Sequence, residues 1–72
     1  MTTVESLARD ARSAAAHSAS GTGTCILNYP TGQQIAVGYD CTSDSLTYRC
    51  NGRAVDESFA RVALLDLESR FR

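Results

Sequence analysis

Residues 24–41 read TCILNYPTGQQIAVGYDC. Cys25, Leu27 and Tyr29 alternate with Thr24, Ile26 and Asn28, the period of two that an extended strand imposes on its faces. Pro30, Thr31 and Gly32 then suit a three-residue hairpin loop, with proline setting the first turn angle and glycine taking the left-handed position. That loop pairs Tyr29 with Gln33, which puts Leu27 opposite Ile35 and Cys25 opposite Val37. The second strand therefore carries Ile35, Val37, Tyr39 and Cys41 on the buried face and Gln34, Ala36, Gly38 and Asp40 on the outer one.

The pattern continues downstream. After a polar turn at 42–44, Leu46, Tyr48 and Cys50 alternate with Ser45, Thr47 and Arg49 in a third strand. Asn51-Gly52 is the residue pair a type I′ turn demands, because both central positions need positive φ. It folds Arg53, Ala54 and Val55 back as a short fourth strand, Tyr48 opposite Val55 and Arg49 opposite Ala54. Asp56 is a good N-cap, and residues 57–72 contain neither proline nor glycine, so a second helix follows. Val55, Phe59, Val62 and Ala63 are its expected core stripe. Ala60, Leu64, Leu67 and Phe71 carry the apolar arc round to a neighbouring face, with Glu57, Arg61 and Glu68 on the polar side.

Upstream, Thr2 and Glu5 have capping-box spacing. Val4, Leu7, Ala8, Ala11, Ala14, Ala15 and Ser18 form one helical stripe, with Arg9, Ser13 and His17 opposite; Ser20, Gly21, Thr22 and Gly23 end the helix. The sum is one α+β domain over residues 1–72. It has two layers: an N-terminal helix, an antiparallel meander of three to four strands and a C-terminal helix, both helices on one face.

Composition narrows the function classes. A chain of 72 residues buries only about 60% of its unfolded surface. The formal net charge of −1 supplies neither the positive field of non-specific nucleic-acid binding nor the negative field of a DNA mimic. All seven basic residues are arginine. No apolar run reaches the length of a membrane span and the first residues lack a signal-peptide core, so a cytoplasmic protein, in the bacterial host cytoplasm if phage-encoded, is expected.

Cys25, Cys41 and Cys50 fall on the inner sheet face and are expected to be small buried hydrophobes. Zinc held by these and His17 is the competing reading, but no close Cys-x-x-Cys pair is present, so neither metal nor cofactor is expected. Thiols buried among Leu27, Val37 and Tyr48 do not suit nucleophilic chemistry, so no catalytic residue is assigned and the chain is read as a non-enzyme. The surplus apolar arc of the second helix is the expected partner surface, through Arg61, Leu64, Leu67, Glu68 and Phe71. A second candidate surface is the outer sheet face at Asn28, Gln34, Thr47 and Arg49. Arg9, Arg12 and Arg53 are the candidate nucleic-acid contacts.

The stretch Tyr48-Arg49-Cys50-Asn51-Gly52-Arg53-Ala54-Val55-Asp56, leading into the helix as far as Leu65, resembles the strand, turn, cap and helix of small accessory proteins of phages and mobile elements, the anti-CRISPR proteins among them. That resemblance implies a stoichiometric inhibitor that binds and blocks a bacterial host protein complex such as a CRISPR effector. Two other readings stand beside it: a dimeric nucleic-acid-binding regulator using arginine contacts, and a self-assembling structural module. A homodimer through the C-terminal helix is expected for the regulator and the self-assembling module, and is the alternative to a partner groove on that helix.

Overall fold

Thr3, one position later than expected, caps the first helix, α1 (Val4–Ala16). Its Oγ1 accepts from the Ser6 N–H at 3.1 Å, and Ser6 Oγ accepts from the Thr3 N–H at 3.1 Å. A serine hydroxyl thus fills the place foreseen for the Glu5 carboxylate, leaving Glu5 available elsewhere. The computed structural model describes residues 2–71. After α1 come strands β1 (Thr22–Asn28), β2 (Gln34–Asp40), β3 (Ser45–Cys50) and β4 (Arg53–Val55), then helix α2 (Glu57–Arg70). The strands form one antiparallel sheet in the order β1-β2-β3-β4.

Register agrees with the alternation. Leu27 faces Ile35, Cys25 faces Val37, Tyr48 faces Val55 and Arg49 faces Ala54. In the first hairpin the Tyr29 N–H donates to the Gln33 carbonyl at 2.9 Å, closing the Pro30-Thr31-Gly32 loop. Asn51 and Gly52 take φ of 55° and 83°, as a type I′ turn requires. Asn51 also holds the neighbouring strand: its N–H donates to the Gln34 carbonyl and its Oδ1 accepts from the Gln34 N–H, both at 2.9 Å.

Helix α1 lies across the inner face of β1 and β2, while α2 rests mainly on β3. The alanines of α1 allow a close approach, with Ala8, Ala11 and Ala15 buried and Ala14 exposed at the flank. Gly23 makes that approach feasible, since a Cβ there would stand 2.4 Å from the Ala15 nitrogen and 2.5 Å from the Ala11 carbonyl oxygen. Ile35 and Val37 lie fully buried beneath, joined by Val4, Leu7, Tyr29, Leu64 and Leu67.

The second helix is turned relative to the expected orientation. Ala60, Leu64 and Leu67 face the core, the two leucines 2% and 3% exposed, while Phe59, Val62 and Leu65 are 55%, 68% and 53% exposed. The physical reason lies in the other layer. Leu64 and Leu67 pack beside Val4 and Leu7 of alanine-rich α1, and Ala60, at i with these at i+4 and i+7, is small enough to be fully buried. Cys41 also departs from expectation: it lies just beyond β2 and is exposed, whereas Cys25 and Cys50 are half-buried on the inner face.

Candidate interaction surfaces

Bonds around α2 show that the residues assigned to partner binding are engaged within the chain. Arg61 Nη1 stands 2.6 Å from Glu5 Oε2 on α1 and its Nη2 stands 3.4 Å from Glu57 Oε2. Glu68 accepts twice, from the Thr2 N–H at 2.8 Å and from the Tyr29 hydroxyl at 2.9 Å. Tyr48 donates to Glu57 at 3.1 Å, and the Phe71 ring lies 5.7 Å from that of Tyr29. The expectation that Leu64 and Leu67 belong to an exposed contact surface is therefore corrected: both are core residues. Arg61, Glu68 and Phe71 fasten α2 to α1 and to the first hairpin.

These contacts leave an electrostatic trace. Glu68 is held below the usual carboxylate range by the Thr2 N–H and the Tyr29 hydroxyl, and Glu5 by its bond to Arg61. Burial, reinforced by the Glu68 carboxylate, pushes Tyr29 up to about 12. Tyr48 is raised first by burial and then by Glu57.

What the core leaves outside is the opposite side of α2. Phe59, Val62 and Leu65 run at intervals of three along it, with Ser58, Asp66 and Ser69 exposed among them. Asp66 pairs with Arg70 at 3.3 Å. Beside Phe59 an open groove of about 300 Å³ runs between the start of α2 and the β3–β4 turn, lined by Cys50, Asn51, Arg53, Val55 and Phe59. Phe59, Val62 and Leu65 escaped the sequence reading because apolar residues occur on most of the helix circumference. The available signal was the charge pattern: Glu57, Arg61 and Glu68 cluster on one side, where partners on α1 and the hairpin await them.

The outer sheet face is shallow and mixed, with a polar row beside a mainly apolar one. Thr24, Gly38 and Thr47 form one row across it and Ile26, Ala36, Arg49 and Ala54 the next. Asn28 and Gln34 pair at its lower end, the Gln34 backbone already bonded to Asn51. A depression of about 240 Å³ lies over Gly38, walled by Thr22, Thr24, Asp40, Ser45 and Thr47.

The arginines do not converge. Arg9 is exposed on α1, and Arg12 lies 5.3 Å over the Tyr39 ring. Arg49 belongs to the outer face, and Arg53 stands at the groove beside Phe59. Arg9 and Arg12 ride on the helix that covers β1 and β2, whereas Arg53 sits on β4 at the far edge of the sheet, so no continuous phosphate-tracking stripe forms among them. The His17 Nδ1 lies 2.8 Å from the Ser13 carbonyl, within its own helix. Among the described residues, no three histidine, cysteine, aspartate or glutamate side chains cluster as a metal set. No described helix is long and apolar enough to cross a membrane. No protein-family model, curated protein or solved structure matches the chain.

Proposed function

We propose that this chain is a non-catalytic binding module that inserts the outward side of α2 into an apolar groove of a partner protein. The observation that carries the reading is the Phe59, Val62 and Leu65 stripe, each residue more than half exposed on a helix whose other sides are engaged within the chain. Apolar anchors repeated along one side of a helix are what groove-type recognition uses. Ser58, Asp66 and Ser69 flank the stripe, two hydroxyls and a carboxylate that suit a polar rim rich in hydrogen-bond donors. The geometry favours a groove over a second copy of α2. Three such side chains offer on the order of 300 Å², so stripe-to-stripe pairing buries roughly 600 Å², short of the about 1,000 Å² of a specific interface. A groove covers the flanks as well.

In the form implied by the resemblance to mobile-element accessory proteins, the partner is a bacterial protein complex such as a CRISPR effector and the outcome is stoichiometric inhibition. The test compares wild type with Val62→Asp and Leu65→Asp, both at exposed positions, in affinity capture from bacterial lysate with circular dichroism to confirm folding. Support requires a defined complex that wild type retains and both folded variants lose. Equal retention by the variants, or recovery of nothing specific, overturns the proposal.

A further inference from the structure

Strand β1 is an open edge of the sheet. It runs seven residues as Thr-Gly-Thr-Cys-Ile-Leu-Asn, with no proline and no charge. Natural edge strands usually carry a lysine, proline or bulge that prevents further pairing, and β1 has none of the three. Its hydrogen-bonding direction follows from the rungs at either end, where the Tyr29 N–H bonds Gln33 and the Cys41 N–H bonds Gly21. Alternation then turns Gly23, Cys25 and Leu27 toward β2 and leaves the backbone groups of Thr22, Thr24, Ile26 and Asn28 pointing away from the sheet. All four residues are exposed.

We propose that this edge pairs with a second copy of itself: two chains join β1 to β1 antiparallel about a two-fold axis at Cys25, making one continuous sheet. The strand is centred on Cys25, so this register sets Thr22 opposite the second copy's Asn28 and Thr24 opposite its Ile26, with the reciprocal pairs related by symmetry. Each of these four pairs is of the closely bonded kind that exchanges two N–H···O bonds, so every outward backbone group of the strand is satisfied. On the outer face the exposed Ile26 meets a threonine methyl. On the inner face the second copy's Leu27 lies opposite Gly23, beside the α1 backbone that covers that glycine.

The helix layer fits the same arrangement. Because α1 lies over β1 and β2, the axes of the two α1 helices come to lie about two strand spacings apart, roughly 10 Å, an ordinary helix-packing distance. The flank that approaches is small: Ala14 stands on the β1 side, its Cβ 2.8 Å from where a Gly23 Cβ would be. Asp10, whose charge acts on Cys25, is the acidic group brought toward its own copy. The footprint is about 23 Å of strand by about 20 Å of depth, roughly 900 Å² counting both partners, close to the about 1,000 Å² of weak specific interfaces. The dimer is therefore concentration-dependent.

Sedimentation of the wild-type chain from low micromolar to millimolar concentration should show the mass rise from one chain to two. Thr24→Pro removes an N–H that bonds nothing in the single chain but two bonds of the dimer, and Thr24→Lys is a second way to block the edge. Both should weaken association at least about tenfold, while Asp10→Asn strengthens it. With Cys41→Ser and Cys50→Ser in place, mild oxidation should link Cys25 to Cys25 as a disulfide, because opposed residues of this pair stand about 4.5 Å apart at Cα. A single-chain mass at millimolar concentration, or a dimer that folded Thr24→Pro and Thr24→Lys leave intact, overturns the proposal. The α2 variants of the previous test leave this surface unchanged, so the two ideas fail separately.

Discussion

Leu64 and Leu65 are neighbours in sequence with opposite fates. Leu64 is sealed in the cluster of Val4, Leu7, Ile35 and Leu67, whereas Leu65 stands half in solvent on the far side of α2. Truncating them separates the two environments. Leu64→Ala leaves a cavity in a small core and should cost about 2–5 kcal/mol, while Leu65→Ala should stay within about 0.5 kcal/mol. Urea unfolding of the two variants measures the difference, and comparable losses would mean that the helix is turned otherwise. Gly23 makes the same point for the backbone. Its lack of a Cβ, rather than a turn, is what α1 requires, because the helix backbone occupies the position a side chain would take.

At the scale of elements, caps and turns follow directly from local chemistry. Asp56 Oδ1 accepts from the Phe59 N–H at 2.7 Å, which satisfies an orphan donor at the start of α2 and places an acid where the helix dipole favours one. Asp56→Ala should cost about 1 kcal/mol of stability while Asp56→Asn retains most of it, a contrast read from thermal melts of the two variants. The capping box of α1 shows how far such reading reaches. A helix start at this point was legible, but Thr2 and Thr3 both offer a hydroxyl. The choice went to Thr3 because Ser6 completes the box, Glu5 is drawn to Arg61, and the Thr2 N–H donates to Glu68.

Across the whole molecule, α2 is held by a few polar fastenings as well as by its leucines, so stability responds to pH at both ends. Glu68 and Glu5 have folded pKa values below their ordinary one, so the stability they add is present above the usual glutamate range and is lost as pH falls through their folded values. Tyr29 is the opposite case. Its folded value of about 12 lies above the ordinary 10.0, so its contribution is complete below pH 10 and declines as pH rises toward 12. Unfolding free energy against pH should therefore fall at both extremes. Glu68→Gln should flatten the acid limb and Tyr29→Phe the alkaline one; limbs unchanged by either variant would contradict these fastenings.

The two-layer α+β order, the sheet register and the turns at 30–32 and 51–52 were legible in the order of residues along the chain. Those features rest on interactions between near neighbours: a period of two, a proline-to-glycine loop, and an Asn-Gly pair whose φ values few other residues accept. Which side of α2 is buried was settled by contacts distant in sequence. With apolar residues on most of the circumference of that helix, periodicity carried no preference. The choice came from the packing of Leu64 and Leu67 beside Val4 and Leu7 of α1 and from carboxylates and an arginine that find partners only in one rotation. The two surfaces proposed for binding, the Phe59-Val62-Leu65 stripe and the β1 edge, are what remained exposed once those long-range contacts were made.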